Sequence, residues 1–70
     1  MSMDIRTLSV EGMSCSHCEN AIKKSVGALN GVSNVTVDLK EKKVIVEFDP
    51  ELISIDIIRD TIEDQGYDVK

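Results

Sequence analysis

The chain has 70 residues, 41% hydrophobic and 30% charged, with 8 basic against 13 acidic side chains and a formal net charge of −5. That length holds one domain, residues 1–70, of ordinary globular composition, and no apolar run approaches the roughly 20 residues that cross a bilayer. The acidic balance, with one Tyr, one Phe and no Trp, excludes nucleic acid, which needs a positive footprint and stacking platforms.

The first strand is read from Leu8 and Val10, which alternate with polar neighbours and end at Gly12. From Ser14 or Ser16 the period changes. Cys18, Ala21, Ile22, Val26 and Leu29 recur at three- and four-residue spacings, one apolar stripe of a helix. Ser14 and Ser16 are both N-cap candidates, Glu19 suits the first turn, and Asn30-Gly31 is the expected stop. Val35, Val37 and Leu39 alternate with polar residues, and Val44, Val46 and Phe48 do the same after the turn Lys40-Glu41-Lys42. This is a hairpin pattern. Asp49-Pro50-Glu51 closes the third strand, because proline cannot donate to a continuing ladder. Ser54 caps a second helix with Ile55, Ile58 and Ile62 as its buried stripe. Gly66 follows at its C-terminus, leaving residues 67–70 as a short final strand.

The order β-α-β-β-α-β, with right-handed crossovers, predicts an α+β ferredoxin-like fold: a four-stranded antiparallel sheet with two helices on one face. A core this small leaves little room for a deep cavity, so function is expected at the surface. Charge is uneven along the chain. Residues 1–48 carry six acids and six bases, whereas residues 49–70 carry seven acids with only Arg59 and Lys70, so the whole excess lies in the last third.

Both cysteines fall in Gly12-Met13-Ser14-Cys15-Ser16-His17-Cys18, between the first strand and the first helix. Two intervening residues allow both sulfurs to face one point. The helix start supplies unpaired N–H groups and a partial positive charge, which favours thiolate over thiol. A closed zinc site takes four protein ligands, and Cys15, Cys18 and His17 are too few within one molecule. Calcium and magnesium prefer oxygen. Monovalent copper is satisfied by two thiolates, which leaves room for an incoming ligand.

These residues resemble the heavy-metal-associated domain family, and within it the small bacterial copper chaperones. The resemblance covers nearly the whole chain. It rests on Gly12-Met13-Ser14-Cys15-Ser16-His17-Cys18 against the family's G-M-x-C-x-x-C, on Gly31-Val32 after the first helix, and on the closing Gly66-Tyr67-Asp68-Val69. It implies Cu(I) bound by Cys15 and Cys18 and delivered by thiolate exchange to a copper-transporting P-type ATPase. It further implies that Met13 packs beneath the loop without ligating and that Tyr67 lies near the site.

Other readings of the same residues stand beside this one. A disulfide closing so short a loop constrains the unfolded chain little. Residues 1–6 lack a basic and then apolar leader, which points to a reducing, cytoplasmic setting. A thiol-disulfide redox protein also uses C-x-x-C at a helix start, but its active site is abutted by a proline, and Pro50 sits at the end of the third strand. The domain could instead be the excised N-terminal metal-binding module of a copper ATPase, or carry another soft ion; both rank behind the free-standing copper carrier. No substrate bond is made or broken, so the chain is not read as an enzyme. His17 is expected to face solvent, since adjacent helical positions do not face each other. Lys23 and Lys24 are read first as the wet side of the helix and second as a dock for an acidic partner. A homodimer in which two copies pool sulfurs around shared copper is physically reasonable.

Overall fold

The structure, a computed structural model, describes residues 3–12 and 16–70, the Ser16 side chain excepted. Its elements are β1 (Asp4–Glu11), α1 (Ser16–Gly27), β2 (Val32–Asp38), β3 (Lys43–Phe48), α2 (Ile55–Asp64) and β4 (Asp68–Val69). They form one antiparallel sheet in the order β2-β3-β1-β4. This is the ferredoxin-like arrangement expected from the alternation and its interruptions. Among the described residues, no helix is long and apolar enough to cross a membrane.

The pleat sorts the side chains. Val10 on β1 and Val44, Val46 and Phe48 on β3 turn to the helix side, where Ile22 and Val26 of α1 and Ile58 and Ile62 of α2 meet them in the core. All eight are at most 2% exposed. Cys18, Leu29 and Ile55, the remaining large positions of the two helical stripes, pack against this core from its margin.

The ends of the elements depart from the expected boundaries at four places. Helix α1 stops at Gly27 rather than at Asn30-Gly31. Gly27 is a poor helix former, and the chain tightens at once, with the Leu29 N–H donating to the Val26 carbonyl at 3.1 Å and the Val32 N–H to Leu29 at 3.2 Å. Leu29 therefore stays on the apolar side without being helical. β2 begins at Val32 because the turn delivers the chain straight to β3, where Val32 pairs with Phe48 across a register shift at Asn34. Leu39 lies past the end of β2, in a turn held by Asp38 Oδ1, which accepts from the N–H groups of Lys40 and Glu41, both at 3.1 Å. The final strand is only Asp68–Val69.

The second helix follows its sequence signals closely. Ser54 is its N-cap, with the Ile57 N–H donating to Oγ at 3.4 Å. Gln65 is the C-cap and Gly66 takes a φ of +97°. The two corners at one end of the molecule are locked together by Gly31. Its φ is +104°, its carbonyl accepts from the Asp49 N–H at 2.8 Å, and a Cβ there would stand 2.8 Å from Leu52 Cβ.

Candidate metal centre

At the opposite end, β1 runs into the loop that carries the cysteines. Gly12 ends the strand with a φ of +95°, a conformation that residues with a Cβ rarely adopt. The chain thereby turns off the sheet toward the first turn of α1, where Ser16, His17 and Cys18 are the opening residues of the helix. Met13, Ser14 and Cys15 lie outside the described residues. The ligand role of Cys15, the inward packing of Met13 and the capping by Ser14 or Ser16 all fall there or on an undescribed side chain.

Cys18 is half-buried and packs against the core. Its thiol approaches the Gly12 carbonyl, with Sγ to O at 4.0 Å. The sulfur is thus tied to the strand end that precedes it by six residues, on the side of α1 that faces the protein. The sulfur also sits in the first turn of α1, where the helix presents its positive end. His17, the neighbouring residue, is exposed, as expected for a position turned away from Cys18.

Tyr67 closes the other side. It is half-buried, packs against the core, and brings its Cδ1 to 3.5 Å from where a Gly12 Cβ would lie. The last loop therefore reaches the strand end that precedes the cysteine loop, with Tyr67 beside Gly12. The resemblance implied Tyr67 near this end of the molecule; the particular contact with Gly12 is what sequence reasoning missed. Its one available signal was a glycine at a strand end, which announces a turn but not what covers it.

Lys23 is engaged by Glu19 at 2.8 Å, one helical turn back. Lys24 is exposed. The pair along α1 is an ordinary solvated arrangement, which agrees with reading this side as the wet face of the helix. Among the described residues, no group of three His, Cys, Asp or Glu side chains gathers in a way that could hold a metal ion.

Residues 7–68 match the heavy-metal-associated domain. The chain is 57% identical over 67 residues to the copper chaperone CopZ of Bacillus subtilis (strain 168), covering 96% of this chain and 97% of that protein. Among solved structures, it is similar to a copper-ion-binding protein from Bacillus anthracis str. Ames, with a TM-score of 0.94 and 52% identity over 99% of this chain and 97% of the other. It is also similar to the N-terminal domain of a potential copper-translocating P-type ATPase from Bacillus subtilis in the Cu(I)-loaded state. There the TM-score is 0.94 and the identity 29%, over 99% of this chain and 86% of that one. The chain belongs to the heavy-metal-associated domain family.

Proposed function

We propose that residues 1–70 work as one heavy-metal-associated domain that carries copper in the cytoplasm. It binds one Cu(I) between Cys15 and Cys18 and yields it to a copper-transporting P-type ATPase. The observation that carries this reading is the 57% identity, over nearly the full length of both chains, to a protein named as a copper chaperone. The likeness to a Cu(I)-loaded ATPase domain supports the choice of partner, since donor and acceptor would then present the same fold and the same type of site.

Two thiolates around one monovalent copper leave the ion low-coordinate and the site with about one negative charge. A partner thiolate enters to give a three-coordinate copper, one of Cys15 or Cys18 leaves, and a second partner thiolate then displaces the other. The ion changes owner without ever being released to water. Cys18, tied to Gly12 and seated against the core, holds its place while the ligands exchange. No bond within a substrate is cleaved, so this is carriage rather than catalysis. Titration with Cu(I) against a competing chelator tests the reading. Cys15→Ser and Cys18→Ser are each expected to abolish tight binding, and parent affinity in either variant would refute the two-thiolate site.

A second reading, favoured by the same ATPase likeness, is that the domain is itself the N-terminal module of such a pump. The same cysteines would then receive copper instead of delivering it. The coding sequence downstream of Lys70 separates the two.

A further inference from the structure

Asn30-Gly31 reads as a helix stop in the sequence, but the fold uses it as the corner between α1 and β2. It is the one Asn-Gly pair in the chain: Asn20 precedes Ala21 within α1, and Asn34 precedes Val35 within β2. Leu29 to Val32 form a turn closed by the Val32 N–H, which donates to the Leu29 carbonyl at 3.2 Å. Asn30 is exposed, and among the described residues no hydrogen bond holds its side-chain amide or the Gly31 N–H. A bond from the Gly31 nitrogen to Asn30 Cγ would close a five-membered ring. Gly31 carries no side chain to obstruct that approach.

We propose that Asn30 is a self-modification site, where attack by the Gly31 nitrogen converts the chain to aspartyl and isoaspartyl forms. The nitrogen gives its proton to a solvent base and bonds to Cγ. The Cγ–Nδ2 bond breaks, and the nitrogen leaves as ammonia after taking up a proton, which leaves a cyclic imide. Water then adds to one of the two imide carbonyls. Attack at Cγ breaks the new bond and leaves an aspartate. Attack at the main-chain carbonyl breaks the original peptide bond instead, so that the chain runs through Cβ and Cγ. One water is consumed and one ammonia released, with no change of oxidation state.

The folded turn slows the first step. Gly31 has a φ of +104° and Asn30 has no positive φ, which is the type II pattern. There the first central residue has a ψ of about +120°, and this carries the following nitrogen away from the side-chain carbon. Ring closure therefore waits until the Val32–Leu29 bond opens and Asn30 rotates. An exposed turn opens far more readily than the core unfolds.

The two products differ in their effect. Aspartate keeps the main-chain path and adds one negative charge. The isoaspartyl linkage inserts a methylene directly before Gly31, where the fold has no slack. The Gly31 carbonyl accepts from the Asp49 N–H at 2.8 Å, and its Cβ position lies 2.8 Å from Leu52 Cβ and 2.9 Å from Ile53 Cγ2. This corner is at the end of the molecule opposite the cysteine loop. The change thus weakens the fold without touching the cysteines.

Incubation of the reduced, metal-free protein at mildly alkaline pH, followed by peptide mapping with mass spectrometry, tests this. The mass gain of amide-to-acid exchange is expected first in the peptide that holds Asn30, before those that hold Asn20 or Asn34. It should divide into two products that co-elute with synthetic aspartyl and isoaspartyl peptides. The folded chain is expected to react about tenfold or more slowly than the urea-unfolded chain, and Asn30→Gln, whose ring would be larger, to block the reaction. The isolated isoaspartyl protein is expected to unfold at a lower urea concentration than the parent, while Asn30→Asp keeps the parent midpoint. An Asn30 that stays intact in the folded protein while the unfolded chain reacts would overturn the proposal. So would earlier reaction at Asn20 or Asn34, equal folded and unfolded rates, or an isoaspartyl form with the parent midpoint.

Discussion

Gly12 and Tyr67 are 55 positions apart in the chain and in contact in the fold: a Cβ on Gly12 would lie 3.5 Å from the tyrosine ring. That distance is ordinary van der Waals contact, so the demand for glycine comes from the φ of +95° and not from crowding. Gly12→Ala is expected to cost about 1–2 kcal/mol of stability by backbone strain, read from urea midpoints. Tyr67→Ala leaves the strand end uncovered. It is expected to cost about 1–2 kcal/mol, as for a half-buried ring, and to speed the loss of bound copper to a chelator. A variant that loses stability but keeps the parent release rate would make Tyr67 a packing residue only.

Gly31 behaves differently, because there both the conformation and the space are restrictive. A Cβ would stand 2.8 Å from Leu52 Cβ and 2.9 Å from Ile53 Cγ2, at a φ of +104°. Gly31→Ala is therefore expected to destabilise by about 2–4 kcal/mol, strain and overpacking together. The loss should exceed that of Gly12→Ala in the same urea series.

Two neighbouring isoleucines on α2 make a sharper comparison. Ile58 is fully buried and Ile57 is 49% exposed. Ile58→Ala is expected to cost about 2–5 kcal/mol through lost burial and a residual cavity, while Ile57→Ala stays within about 0.5 kcal/mol of the parent. Equal effects would mean that the helix is rotated from the orientation described.

The cap of α2 gives a smaller, separable effect. Ser54→Ala removes the acceptor of the Ile57 N–H and is expected to cost about 1 kcal/mol, with Ser54→Asn retaining most of the stability. Thermal melts of the three proteins check it.

The core and the order of elements were legible because they rest on local periodicity. The stripe Ile22, Val26 and the stripe Ile58, Ile62 read directly from their spacing, as did Val44, Val46 and Phe48 from alternation, and all are buried. The cap at Ser54 and the left-handed Gly66 were equally local. What escaped the sequence depends on where distant segments meet. α1 ends at Gly27 because the chain must tighten before joining β2, and Asn30-Gly31 marks the corner beyond it instead of the helix end. The pairing of β4 with the end of β1 is a register between residues about 60 positions apart, which periodicity does not encode. At the site, the motif located Cys18 at the helix start, and the fold added the Gly12 carbonyl beside its sulfur and the Tyr67 ring beside Gly12.

The central claim is that two sulfurs, those of Cys15 and Cys18, hold a monovalent copper at this end of the molecule. X-ray absorption on the copper-loaded protein addresses it most directly, since it reports ligand type, ligand number and oxidation state together. The account predicts Cu(I) with a sulfur-only first shell of low coordination number, collapsing in Cys18→Ser. A first shell of nitrogen or oxygen donors, or divalent copper, would contradict it.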